Sequence, residues 1–248
     1  MDRSLRRAII HCKNEQRDLH DPSEFSRRSP SFVRPKRGAR ELVRQLREKT
    51  SIKDAIEACG VPHPEIDLIL VDGASVDFSH QLTREARIEV YPVPAPLAAF
   101  PGAHLQRHHW ERFVADGHLG KLTRDLRLLG IDVAYSPLAT DAELVAVSVN
   151  EKRALLTRDR PLLMHAAVRD GYYPRSQKAE EQTREVARRF ELKQRIVPFT
   201  RCLSCNGMLA TIPKSEVINQ LRAADENLLP EFSPLCAVRP GLLGRFAF

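Results

Sequence analysis

Two aspartates stand where short apolar runs end. Phe113-Val114-Ala115-Asp116 and Ala154-Leu155-Leu156-Thr157-Arg158-Asp159 each read as a buried strand finishing on a carboxylate. If the strands are parallel neighbours joined through helices, both acids emerge at the carboxyl edge of one sheet, where open α/β folds place their sites. Carboxylates converging there suit Mg²⁺ or Mn²⁺, which prefer oxygen ligands, keep bound waters and acidify one of them into a nucleophile for phosphodiester hydrolysis. Asp141 and Glu143 lie between the two aspartates in the chain, at the start of an expected helix. They are two residues apart and do not share one helical face, so one of the two is expected to join Asp116 and Asp159 as a ligand.

Cations accompany these acids. Arg158 and Arg160 flank Asp159, and Lys121 and Arg124 fall on the helix expected after Asp116, where they could grip substrate phosphates. A structural reading accounts for the same residues: Asp141 as a helix cap, Asp159 as the cap of a helix that Pro161 helps to open, and the bases as a solvated face. The residues alone leave both readings open.

The elements that would position the acids follow from periodicity. Leu119, Leu122, Leu126 and Leu129 recur at helical spacing, and Gly130 stops that helix before a strand over 131–135. A helix over 141–149, a strand over 154–157, a helix over 161–168 and a charged amphipathic helix over 179–190 follow, with a further strand starting at Tyr172-Tyr173. Such alternation predicts a parallel sheet with flanking helices. A short helix over 215–221 is expected beyond it, and the residues from Pro234 have little pattern. Upstream, Ser51 caps a helix through Ile52, Ala55, Ile56 and Ala58, and strands are expected over 66–71, 74–78 and 87–93, which together describe a small α+β domain. Residues 39–46 fit strand or helix, and residues 1–24 read as a poorly ordered lead. Pro94, Pro96 and Pro101 make 94–111 a linker, in which His104, His108 and His109 read as solvated because no acid or cysteine stands in register with them.

Composition bounds the class. The 248 residues are 42% hydrophobic and 29% charged, with no apolar run long enough for a bilayer, which excludes a helical membrane protein and favours two small domains. The formal net charge of +7 suits a polyanionic partner. Five cysteines, a Cys202-Leu203-Ser204-Cys205 knuckle spacing and a start without a secretory core segment place the protein in the cytoplasm.

Several motifs together carry a resemblance. Asp116-Gly117-His118-Leu119-Gly120-Lys121-Leu122, Leu126-Arg127-Leu128-Leu129-Gly130, Leu155-Leu156-Thr157-Arg158-Asp159-Arg160, Arg175-Ser176 with Gln182, and Pro198-Phe199-Thr200-Arg201-Cys202 with Cys205-Asn206-Gly207 resemble the Mut-seven C-terminal RNase domain family, a branch of the PIN-like nucleases. Ser51-Ile52-Lys53-Asp54-Ala55-Ile56-Glu57, Gly60-Val61-Pro62-His63 and Val76-Asp77-Phe78 resemble that family's ubiquitin-like β-grasp companion. The resemblance implies a ubiquitin-like domain over 25–93, the linker, a PIN-like nuclease domain over 112–200 and a zinc-ribbon-like tail over 201–248. It further implies a metal-dependent ribonuclease with Asp116, Asp141 or Glu143, and Asp159 as its acids. Asp116 and Asp159 would hold Mg²⁺ or Mn²⁺, with Lys121, Arg124, Arg158, Arg160, Arg175 and Ser176 toward an RNA substrate and a protein partner at the ubiquitin-like domain. The alternative is a non-catalytic RNA-binding or protein-interaction module. The family's ribbon carries two cysteine pairs, whereas here Cys236 alone follows Cys202 and Cys205, so a closed tetrahedral Zn²⁺ site is one ligand short.

Overall fold

The computed structural model describes residues 8–14, 32–33, 40–46, 50–93, 95, 100–213 and 232–236. In chain order the elements are β1 (Ala8–Asn14), β2 (Phe32–Val33), β3 (Arg40–Leu46), β4 (Thr50–Ser51), α1 (Ile52–Glu57), β5 (Ile66–Val71), β6 (Ala74–Val76), β7 (Gln81–Leu82) and β8 (Ala86–Pro92). They continue as β9 (Arg112–Ala115), α2 (Gly120–Leu128), β10 (Asp132–Tyr135), α3 (Asp141–Asn150), β11 (Ala154–Leu156), α4 (Arg160–Leu163), β12 (Gly171–Tyr172), α5 (Ala179–Arg189), β13 (Leu209–Pro213) and β14 (Phe232–Cys236). Two compact units result: Met1–His108 with Asp159–Arg175, and His109–Arg158 with Ser176–Phe248.

The first unit is built on a sheet in the order β2-β3-β1-β8-β5-β6, in which β1 runs parallel to β3 and the other pairs are antiparallel. Alternation along β8 sends Ala86, Ile88 and Val90 into the core, where they meet Ile10, Ile66, Ile69 and the Ile52, Ala55 and Ile56 face of α1. Ser51 caps α1 by accepting the Asp54 N–H at 3.1 Å. Within the expected lead over 1–24, residues 8–14 form β1, which lies inside the sheet, and the rest of that span lies outside the described residues. The run Ala8-Ile9-Ile10 is too short to announce a strand, but pairing on both edges satisfies its backbone. The ambiguous 39–46 stretch is strand β3.

Segment 159–175 is fastened within this unit by polar contacts to the turn before β5. The buried His63 sits between Glu57 Oε1 and the Val168 carbonyl, each at 2.6 Å. Burial lowers the His63 pKa, with the Glu57 hydrogen bond acting the other way. Glu65 accepts the Tyr173 N–H at 3.0 Å and pairs with Arg175 at 2.8 Å. These anchors shorten the helix expected over 161–168 to α4, since the chain turns after Leu163 and gives the Val168 carbonyl to His63.

In the second unit β10, β9 and β11 are parallel neighbours, with Phe113 opposite both Val133 and Ala154. Phe113, Val114, Ala115, Ala154, Leu155 and Leu156 are all buried, so these strands read as unbroken apolar runs rather than alternating ones. The buried stripe of α2, Leu122 and Leu126, follows helical spacing. Helices α2 and α5 pack together, and Phe190 just beyond α5 meets Phe113 edge to face at 5.0 Å. After α5 the chain returns to the end of α2, where the Val197 and Phe199 N–H groups donate to the Leu129 and Leu128 carbonyls at 3.1 and 3.0 Å. Strands β13 and β14 pair antiparallel with Leu209 opposite Cys236, an element that the weak pattern from Pro234 did not announce. The helix expected over 215–221 lies outside the described residues.

Gly130 shows why the stop after α2 is a glycine. Its φ is +86°, and a Cβ there would fall 2.2 Å from the Val197 carbonyl oxygen and 2.6 Å from Thr200 Oγ1. Gly130→Ala should therefore cost about 2–4 kcal/mol, combining left-handed strain with displacement of the returning loop, and urea unfolding would measure it.

Candidate active site

Asp116 is placed by the sheet itself. Its N–H donates to the Leu156 carbonyl at 3.0 Å, which extends the β9–β11 pairing one residue past β9. Its backbone then leaves in an extended conformation, and its carbonyl accepts the Leu119 N–H at 2.8 Å to open a helical turn. Thr157, just past β11, donates its hydroxyl to Asp116 Oδ2 at 2.7 Å. Among the described residues the half-buried Asp116 forms no salt bridge, so a neutral donor orients its carboxylate without neutralising it. The glycines beside it are packing requirements. A Cβ on Gly117 would lie 2.8 Å from the Pro137 oxygen and one on Gly120 2.7 Å from the Tyr135 hydroxyl, which itself donates to the Gly117 carbonyl at 2.9 Å.

The other acids have local partners. Thr140, not Asp141, caps α3, in a box where Thr140 Oγ1 accepts the Glu143 N–H and Glu143 Oε2 accepts the Thr140 N–H at 2.9 Å. Asp141 is exposed at the first helical position. Asp159 caps α4 through Leu162 N–H to Oδ1 at 3.2 Å, with Pro161 in the first turn. Asp116, Asp141 and Glu143, all in the second unit, do not form a trio close enough to share one ion.

The expected bases divide by setting. Lys121 and Arg124 are exposed along α2. Arg158 reaches Gln177 Oε1 at 2.6 Å, and Arg160 lies over the Tyr173 ring at 5.4 Å. Arg175 is held by Glu65 and by the Tyr173 carbonyl. Burial works against its charge, but Glu65 outweighs that and raises the pKa. Ser176 shapes the lead into α5, accepting Gln182 Nε2 on its carbonyl at 2.8 Å and the Lys178 N–H on its hydroxyl at 3.1 Å.

The Cys202 to Gly207 stretch forms a tight turn. Cys202 N–H meets the Gly207 carbonyl at 2.8 Å, Asn206 N–H meets the Cys202 carbonyl at 3.0 Å, and Asn206 takes the left-handed conformation. Both cysteines are half-buried. Arg127, 2% exposed, fixes this turn to the sheet: Nη1 donates to the Leu203 and Ser204 carbonyls at 3.0 and 2.7 Å, while Nε and Nη2 donate to the Val133 carbonyl at 3.1 and 2.8 Å. Asp132 adds a second tie, taking Arg153 at 2.6 Å, Asn206 Nδ2 at 2.8 Å and Arg201 at 3.4 Å. Burial pushes the Asp132 carboxyl up, but the Arg153 and Asn206 hydrogen bonds and the nearby guanidinium charges outweigh it and hold the pKa below the ordinary value.

A depressed folded-state pKa stabilises the fold above the unfolded-state value of about 3.9, and that contribution is lost as pH falls through the folded value. Asp132→Asn should cost roughly 2 kcal/mol at neutral pH, less than the ~3–5 kcal/mol for a fully buried pair because the group keeps some solvent contact. It should also flatten the acid limb of a stability profile measured by urea unfolding from pH 7 to 3.

The sequence reading of His104 and His108 as solvated, with no acid in register, needs correction: Asp67, which it passed over, meets both, and the ligand atoms of the three lie within 4.8 Å of one another in the first unit. The spacing His104-x₃-His108 was visible, but the acid lies 37 residues upstream of His104 and only β5 brings it to them.

Comparison with known families identifies the stretch that holds β9, β10 and β11, together with segment 159–175. The family model of the Mut7-C RNAse domain matches residues 111–236, more than half of the chain. The chain belongs to the Mut7-C RNAse domain family. That match opens one residue before β9 and takes in Asp116, the parallel strands, α5, the Cys202 turn and β14. A second model, Mut7-C ubiquitin, matches residues 23–98 and takes in α1, β5 and β8. No curated protein and no solved structure matches the chain. Among the described residues, no helix of this Mut7-C protein is long and apolar enough to cross a membrane.

Proposed function

We propose that the protein is a metal-dependent ribonuclease that hydrolyses RNA phosphodiester bonds. The observation that carries this reading is Asp116, a carboxylate at the carboxyl end of β9, oriented by the Thr157 hydroxyl and with no salt-bridge partner among the described residues. A hard cation when bound supplies charge neutralisation at the phosphate and an acidified water. In this reading Asp116 is a ligand for Mg²⁺ or Mn²⁺ and Asp159 is the further acid that the family resemblance adds, with Asp141 freer than Glu143 to assist, because the Glu143 carboxylate is engaged in the α3 capping box. Lys121 and Arg124 offer exposed charge for the RNA backbone, and the net charge of +7 supports a polyanionic substrate. The ubiquitin-like region serves a protein partner.

One observation favours the non-catalytic alternative: Asp159 already caps α4, which suffices to explain an acid there. Incubating a labelled single-stranded RNA with wild type and Asp159→Asn, in Mn²⁺, Mg²⁺ or EDTA, separates the two. Cleavage that needs the metal and falls at least about 100-fold in the variant supports the nuclease, since a lost metal ligand costs several kcal/mol in the transition state. Salt-sensitive RNA binding with no turnover in either protein supports the alternative.

A further inference from the structure

We propose that Asp67, His104 and His108 form a Zn²⁺ site that pins the segment following β8 onto β5. Asp67 is the second residue of β5 and has no exposed surface. A carboxylate taken wholly out of water needs compensating charge or hydrogen bonds, and among the described residues no lysine or arginine provides them. Its surroundings are instead those of a ligand. Oδ2 lies 3.1 Å from His104 Nδ1, 3.1 Å from His108 Nε2 and 3.1 Å from the Ala95 N–H, and Oδ1 lies 3.2 Å from His104 Nδ1 and 3.4 Å from the Gln106 N–H.

Two imidazole nitrogens and a backbone N–H therefore crowd one oxygen, which offers two lone pairs. A cation relieves the crowding, because the imidazoles then present lone pairs to the metal instead of protons to the acid. Ligand atoms bound to tetrahedral zinc at about 2.0–2.1 Å stand about 3.3 Å apart, close to the 3.1 Å that separates Asp67 Oδ2 from each imidazole nitrogen. The two rings are nearly perpendicular, at 87° with centroids 4.5 Å apart, so the contact is not a stack.

The backbone around the ligands is built in as well. Leu105 N–H donates to the Asp67 carbonyl at 2.9 Å, and the buried Gln106 donates its side chain to the His63 carbonyl at 2.9 Å. The residues between the two histidines are thus tied down on the side away from solvent. Exposure rises from none at the Asp67 side chain to 21% at His108 and 44% at His104, leaving a solvent-side position for a water as fourth ligand. Two nitrogens and one oxygen favour Zn²⁺ over Mg²⁺ or Ca²⁺, which take oxygen shells, and distinguish this site from the hard-cation chemistry proposed for the nuclease.

The test uses the full chain with Cys202→Ser and Cys205→Ser, which removes the paired knuckle thiolates as competing ligands and leaves Cys12, Cys59 and Cys236 in place. Zn²⁺ binding is measured by calorimetry, and Co²⁺ alone serves as a spectroscopic probe. The expected result is one equivalent of Zn²⁺ unaffected by millimolar Mg²⁺, and Co²⁺ d–d bands without thiolate charge transfer. A rise in melting temperature on adding Zn²⁺ should accompany it. Because a change beside the ligands already costs about 10–100-fold in affinity, His104→Gln or His108→Gln, each checked for folding by circular dichroism, should weaken binding by about 100-fold or more and abolish the thermal shift. Absence of binding in the Cys202→Ser, Cys205→Ser protein, or affinity unchanged in either histidine variant, overturns the proposal. Neither readout depends on RNA cleavage.

Discussion

Asp116→Asn is expected to lose metal-dependent RNA cleavage by at least about 100-fold while unfolding within a degree or two of wild type. The asymmetry follows from the contacts. An asparagine carbonyl still accepts the Thr157 hydroxyl, and the backbone bonds of Asp116 to Leu156 and Leu119 are unaffected, so the fold retains its hydrogen bonds. In the proposed reading the substitution removes the carboxylate that would recruit a cation, and with it several kcal/mol of transition-state stabilisation. Thr157→Val is the companion measurement. It keeps the charge and loses the orienting bond, so it should reduce turnover by about tenfold, the size of one hydrogen bond to a charged group. If Asp116→Asn cleaves like wild type, the assignment of a carboxylate centre to β9 fails.

Arg127→Met should destabilise the second unit by about 3–4 kcal/mol, the scale seen when one partner of a buried polar network is deleted. Three carbonyls lose their donor: Val133 on β10 and Leu203 and Ser204 in the cysteine turn. Methionine fills part of the volume but donates nothing. The chain's single tryptophan, Trp110, is buried in this unit, so its fluorescence during urea unfolding reads the loss directly. The same substitution should speed modification of Cys202 and Cys205 by a thiol reagent, because their turn loses its tie to the sheet. Unchanged stability together with unchanged thiol reactivity would mean that the turn is held from elsewhere.

Much of this was legible from the sequence because it is local. Ser51, Gly130 and Pro161 are punctuation whose effect is felt within a few residues, and the apolar runs at 113–115 and 154–156 are what a strand buried on both faces requires. What escaped was made by pairing across long separations. β1 exists because β3 and β8 flank it, and β14 because β13 does. Arg127 reads as one more charged residue on an amphipathic helix until Val133 and the cysteine turn surround it. Asp67 sits within an apolar strand run, Ile66 to Val71, and nothing around it points to histidines in a proline-rich stretch. The acids show the reverse: local grammar foresaw the cap made by Asp159 but assigned the α3 cap to Asp141 when Thr140 makes it.

The bonds from Val197 and Phe199 to the last carbonyls of α2 set where the second unit can be cut. A protease nick between Leu192 and Val197 would release the loop that closes α2 and expose the Leu128 and Leu129 carbonyls. A fragment of the Mut7-C RNAse domain that keeps this closure therefore runs past Phe199, and one ending with α5 should lose cooperative unfolding.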